Sequence, residues 1–291
     1  MKRRLLNFLG LICVTTGFSY AGAIVFSGTG VDIAGITPTR DAFRVAVGGG
    51  TTAGANGSFG GLRREINWDG VPASAAAPFG LPPNFFNVNS PRGVVFSTAG
   101  TGFEVSGATT DAGGGQPAAA NFGNIDPSYT GTFAPFTAQR LFTAIGSNIV
   151  DVSFFLAGTA TPGTVSAFGS IFSDVDLSST TSIQLFDGAN ISLGTFFVPA
   201  SGGSQRFSFL GIVFNAGEQI GRVRITNGNA ALGAGVLDGT SDLVVMDDFI
   251  YAEPAATVPE PGTLLSALAG VVMLAVFGQR RRSRRGETRD R

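Results

Sequence analysis

The chain has 291 residues, 19 basic and 20 acidic, with no His; its lone Lys is Lys2 and its lone Cys is Cys13. Beyond those first residues it can therefore build no Ser-His-Asp triad, thiolate nucleophile, Schiff base or ordinary zinc site, and paired carboxylates are the main enzymatic chemistry left. Residues 24–257 carry nine arginines against 17 acids, a net charge of −8 that the whole-chain value of −1 conceals, and this excludes a nucleic-acid partner, which needs clustered cations.

At the N-terminus Lys2, Arg3 and Arg4 precede an apolar run over 5–14 and small residues ending in Ala21-Gly22-Ala23. That order predicts a secretory signal peptide over 1–23, cut by signal peptidase after Ala23 with Ala21 and Ala23 as the small recognition positions. The run is too short to span a bilayer, which takes about 20 residues. Leu11-Ile12 before Cys13 argue against a lipoprotein cysteine.

Roughly 235 residues follow, enough for one large β domain or two small ones. Short apolar runs bounded by Gly, Asn, Asp, Ser and Pro predict strands over 42–47, 62–68, 93–98, 103–106, 150–156, 165–172, 182–187, 192–198, 206–214, 221–226 and 243–251, and an all-β, antiparallel sandwich over 24–252. Alternation at Phe207-Ser208-Phe209 and Arg222-Val223-Arg224-Ile225 sets one side toward a core and the other toward water. Phe, at 26 residues against three Tyr and one Trp, is the core filler. The glycine-rich 48–61 lacks the Lys and spacing of a phosphate loop and reads as a flexible hairpin connection. Residues 106–150 carry little strand signal and read as a long surface excursion. Residues 253–258 read as a short stalk.

Three places within this domain invite chemistry. Trp68, with Asn67 and Arg64 in the polar segment RREINWDG, is a candidate platform for stacking on a sugar ring; the alternative is a Trp capping the core beside an ion-paired strand. Asp174 and Asp176 alternate oxygen side chains as calcium loops do, without the glycine and final Glu of an EF-hand, so calcium is the one candidate cofactor and a solvated turn the alternative. Asp247 and Asp248 interrupt an apolar strand. Neighbouring strand residues face opposite ways, so at least one carboxylate meets buried surface and needs Arg222, Arg224, backbone amides or a metal. A structural role is favoured over catalysis, and no catalytic residue is assigned.

After the stalk come Pro259, Glu260 and Pro261, an uncharged apolar run of 16 residues over 263–278, and Arg280, Arg281, Arg282, Arg284 and Arg285. The run makes about 24 Å of helix, near the lower limit for spanning a core of about 30 Å. The arginines stop transfer and stay cytoplasmic, which puts the β domain outside. This tripartite order over 259–285 resembles the PEP-CTERM sorting signal of bacteria that make extracellular polysaccharide. The resemblance implies that an exosortase, a membrane-embedded cysteine transpeptidase-like enzyme, cuts near Pro259-Glu260-Pro261. The prolines keep the chain extended there and delay the helix.

The segments FGSIFSDVD, FDGANISLGTFFV, FSFLGIVF, IGRVRIT and LVVMDDFIY also resemble the closing strands of jelly-roll, lectin-like outer domains of PEP-CTERM proteins. That resemblance implies a jelly-roll of carbohydrate-binding type and assigns no ligand. The expectation is an exported protein, membrane-anchored before processing and then at the cell surface or in the matrix. Its partners would be signal peptidase, an exosortase, the membrane and extracellular polysaccharide. The alternative is a secreted glycoside hydrolase-like enzyme with paired carboxylates, for which two carboxyls about 5 to 10 Å apart in an aromatic-lined cleft would speak.

Overall fold

The computed structural model describes residues 22–109, 111, 119–237 and 239–256, with Gly270 and Met273 isolated beyond them. Most of the signal peptide, the membrane run, the sorting motif and the arginine tail lie outside the described residues. Among those described, no helix is long and apolar enough to cross a membrane.

Fifteen strands are described: β1 Ile24–Gly30, β2 Ser58–Phe59, β3 Arg63–Ile66, β4 Val94–Ser97, β5 Gly102–Val105, β6 Phe142–Ile145, β7 Ile149–Phe154, β8 Gly163–Thr164, β9 Ala167–Ser173, β10 Ser182–Phe186, β11 Ser192–Phe197, β12 Phe207–Val213, β13 Arg222–Thr226, β14 Val245–Ala252 and β15 Ala255–Ala256. An eight-stranded sheet runs β1-β12-β9-β14-β3-β2, with β6 also on β14 and β5 beyond β6. A five-stranded sheet runs β11-β10-β13-β7-β4, and β15 pairs with β8 alone. Every strand pair is antiparallel.

The two sheets face each other across a phenylalanine-rich core. Phe154 of β7 lies 6.3 Å from Phe168 of β9 and 5.6 Å from Tyr251 of β14, centroid to centroid. Phe96 of β4 lies 4.9 Å from Phe142 of β6. Such ring pairs add about 0.5–1.5 kcal/mol each beyond burial.

Residues 42–47, expected as a strand, belong instead to helix α1, Ile33–Val47. Asp32 caps it, its Oδ1 accepting from the Gly35 amide at 3.0 Å. Ile36 and Phe43, seven residues apart, are its buried face, while Val45 is 81% exposed. The Phe43, Val45, Val47 alternation imitates a strand but the face that counts has helical spacing.

Helix α1 lies on the outer side of the eight-stranded sheet. Phe43 fits against Gly211 and Gly169, where a Cβ would come within 2.6 Å and 3.0 Å of its ring. This covering corrects the expectation for β12: Phe209 and Gly211 face α1, and Ser208, on the opposite side, does not face water but is buried, its hydroxyl donating to the Pro199 carbonyl at 2.7 Å. In β13 the expected alternation holds, with Val223 and Ile225 buried and Arg222 and Arg224 half-buried on the other side.

The 48–61 segment is therefore a helix-to-strand connection rather than a hairpin. Buried Arg63 holds its start, donating to the carbonyls of Arg44, Gly48 and Gly50, which places a cation at the helix C-terminus. The 106–150 stretch is more than a surface excursion. It contributes β6 and supplies Phe122, Tyr129, Phe133 and Leu141 to a second apolar cluster with Leu232, Leu243 and Val245. The 253–256 part of the stalk is also docked: Glu253 pairs with Arg64 at 2.7 Å, Pro254 is buried and β15 joins β8.

Candidate functional site

Trp68 is 1% exposed and stacks on Phe142 at 4.1 Å and 10°. Phe86 and Phe249 meet it edge-on at 5.4 Å and 5.1 Å. Its indole Nε1 donates to the Asp247 carbonyl at 2.9 Å. A ring enclosed in this way cannot stack on a sugar, and the core-capping reading describes it. Arg64 is engaged by Glu253 and by the carbonyls of Asn56 and Pro91. Asn67 alone of the three is exposed. They form no common site.

Asp247 and Asp248 are both buried. The β14 register shifts between Met246 and Phe249, and the irregularity turns neighbouring carboxyls into one network rather than to opposite faces. Asp247 Oδ2 accepts from the Phe136 amide at 2.5 Å, and the Thr137 hydroxyl reaches Asp247 at 3.2 Å and Asp248 at 3.0 Å. Arg44, not Arg222 or Arg224, is the nearest cation, 3.9 Å from Asp248 and paired bidentately with Glu65. Burial raises both carboxyls above their usual range, Asp247 furthest, with Asp248 beside it.

Clefts on the described surface include three of 740, 430 and 370 Å³. Each is lined by a single carboxylate: Asp41 beside Arg40 and Arg44 in the first, Asp32 in the second, Asp187 in the third. Asp32 caps α1, and Asp187 holds a turn by accepting from the amides of Ala189 and Ile191. None of the three presents the carboxyl pair of a glycoside hydrolase.

Asp174 and Asp176 take different roles. Asp174, 2% exposed, leaves Oδ1 without a hydrogen-bond partner. Asp176 is exposed and accepts from the Gly203 amide at 2.6 Å. Asp242, which sequence reading missed, is buried and accepts from the Asp176 amide at 2.9 Å and from the Thr180 hydroxyl. Among the described residues, no group of three or more such side chains is arranged to hold a metal ion. Burial, then the charges of Asp176 and Asp242, push the Asp174 carboxyl up to about 7.

The outer face of the five-stranded sheet is the polar surface best suited to a ligand. Pairing aligns Phe186, Arg222 and Ser153 in one row, and Thr195, Gln184, Arg224 and Asp151 in the next. Arg222 lies 3.7 Å above the Phe186 ring and donates to Asn190 at 2.6 Å and to Asp151 at 2.5 Å. Arg224 donates to both Asp151 oxygens at 3.0 and 2.8 Å, and its side chain stays 42% exposed. These hydrogen bonds to Asp151 raise the Arg224 pKa. Two oriented guanidiniums, amides from Asn190 and Gln184, and a ring edge can bind hydroxyls or carboxylates of a glycan. The Arg-x-Arg alternation announced this face, but nothing in the sequence ties Asp151, some 70 residues away, to it.

No protein-family model matches the chain, and no curated protein is significantly similar to it.

Proposed function

We propose that this protein is an exported, non-enzymatic cell-surface or matrix component. An exosortase cuts it at Pro259-Glu260-Pro261, and its jelly-roll-like domain binds extracellular polysaccharide through the outer face of the five-stranded sheet. The observation that carries this reading is where the domain's ends lie. Ile24 pairs with Val213, Val213 with Ala167, and neighbouring Phe168 with Tyr251. The start of β1 and the end of β14 thus share one end of the sheet, three strand spacings or about 14 Å apart. A domain delivered behind a signal peptide and held by a C-terminal membrane segment leaves and returns to one surface, and neighbouring ends suit that path. The jelly-roll part is supported by the chain's five passages between the two sheets from β7 to β14.

Intact mass and fractionation in the native host test the sorting step. The wild type is expected to lose everything after the motif, and Pro259→Ala/Pro261→Ala to keep the tail in the membrane. An intact tail on both defeats the exosortase reading. Glycan binding is tested by affinity electrophoresis on the host's purified polysaccharide. Replacing Asp151, Arg222 and Arg224 together by Asn, Gln and Gln removes hydrogen bonds to charged groups worth about 1.5–3 kcal/mol each, so at least about ten-fold weaker binding is expected at an unchanged melting temperature. If the wild type itself is not retarded, polysaccharide is not the ligand.

A further inference from the structure

One end of the sandwich gathers strand ends, turns and exposed apolar side chains. Ile24 opens β1 there, and through Val213 and Ala167 it stands level with the end of β14. Leu62, in the turn before β3, offers its carbonyl to the Glu253 amide at 2.8 Å, just past β14. Val88 ends the short helix Phe85–Val88, whose Asn87 side chain holds the loop before β8 through Gly158 and Thr159 at 3.0 and 2.8 Å. Ile191 closes the turn after β10, whose Gly188 packs against Gly221 at the start of β13. A bridge from Val165, before β9, to Ile220, before β13, joins the two sheets at this end.

Ile24, Leu62, Val88 and Ile191 are between 43% and 62% exposed. The charged side chains around them are tied down. Glu253 pairs with Arg64 at 2.7 Å, Asp187 accepts from the amides of Ala189 and Ile191, Arg92 donates to the Glu65 carbonyl at 2.6 Å, and Glu218 is half-buried. The opposite end also shows Val31, Ile33 and Leu177, but exposed Asp32 lies between the first two and exposed Asp176 precedes the third. Bringing an ionised carboxylate to hydrocarbon is costly, so of the two ends only the first suits an apolar surface.

We infer that this end rests on the lipid surface, with Ile24, Leu62, Val88 and Ile191 dipping among the headgroups. The contact depends on the membrane-held tail of the function proposed above and adds the domain's own surface to it. Chain length selects lipid as the occupant. Ala256 is held by β8, and residues 257–262 alone separate it from the apolar run that begins at Thr263. Seven chain steps of at most about 3.6 Å keep the membrane within about 25 Å of this end. A tether this short presents lipid to the patch at high effective concentration, so weak interfacial insertion suffices.

Lipid quenching of the chain, purified with its tail from a host without an exosortase and placed in vesicles of phosphatidylethanolamine and phosphatidylglycerol, tests this. In a Cys13→Ser background, an environment-sensitive dye is attached at Leu62→Cys, at Val88→Cys or, on the opposite end, at Leu177→Cys. Nitroxide lipids are expected to quench the dye at positions 62 and 88, with emission shifted to the blue, while at position 177 it emits as in water. Adding Val88→Glu/Ile191→Glu to Leu62→Cys should return the emission at position 62 to its value in water at an unchanged melting temperature, since both side chains are exposed. Flotation separates this contact from the reading it depends on. A chain that does not float with the vesicles has no membrane-held tail, and both fall. A chain that floats overturns the contact alone if positions 62 and 88 emit as in water, if position 177 is quenched equally, or if the double substitution leaves the emission at position 62 unchanged.

Discussion

Trp68→Ala is expected to lower the stability of the β domain by about 3–5 kcal/mol, the cost of emptying a large aromatic site that cannot collapse. The surroundings make the upper part of that range reasonable. Phe142, Phe86, Phe96 and Phe249 surround the indole, and rings anchored on three strands and a short helix cannot all move inward. The Asp247 carbonyl also loses the indole N–H it accepts from, leaving a buried acceptor with one partner fewer. The urea midpoint followed by circular dichroism should fall sharply with an unchanged slope. A loss under about 1 kcal/mol would mean that the indole does not hold the two sheets together.

The second large effect is on pH, and its sign is unusual for carboxylates. Asp174, Asp247 and Asp248 all have folded pKa values raised by burial, Asp174 to about 7. Between the unfolded value near 3.8 and these raised values, the folded state holds protons that the unfolded chain releases. Stability is therefore fully present below the unfolded pKa and is lost as pH rises through the folded values, that of Asp174 at about 7. Asp111 acts oppositely, because Arg140 outweighs its burial and lowers its pKa, but that contribution changes only below 3.8. Wild type should be more stable at pH 5 than at pH 8. Asp174→Asn should flatten the dependence and exceed wild type at pH 8 by of the order of 2–4 kcal/mol, at about 1.4 kcal/mol per unit of pKa difference. Wild-type stability rising from pH 5 to pH 8 would contradict the reading of these burials.

Most long strands were legible because their apolar residues alternate or cluster between turn formers. β10, β11 and β13 fall where the pattern puts them, within a residue or so. Helix α1 was not legible, since Pro38, Thr37 and Thr39 depress helix propensity and the alternating end looks extended. That miss propagated: without the helix, Ser208 had to face water, and with it both sides of β12 are covered. The same logic explains Asp247 and Asp248. Period two sends neighbours to opposite faces only where the ladder is regular, and a register shift is invisible in the sequence. Trp68 illustrates a further limit. A polar flanking segment suggested exposure, but Trp68 itself sits at φ 64 and leaves the strand direction, carrying its ring inward while Asn67 stays outside.

The pairing of the first strand has a kinetic consequence. β1 is made first, yet its sheet partner β12 comes about 180 residues later, and β14, inserted between β9 and β3, is the last long strand of all. Contacts this distant place the chain among slow folders, because the entropy of closing long loops is spent before the contacts repay it. Whatever delivers the chain N-terminus first keeps its sheets incomplete until residue 252 arrives. A tail retained at the membrane would hold that final strand close to partners already waiting for it.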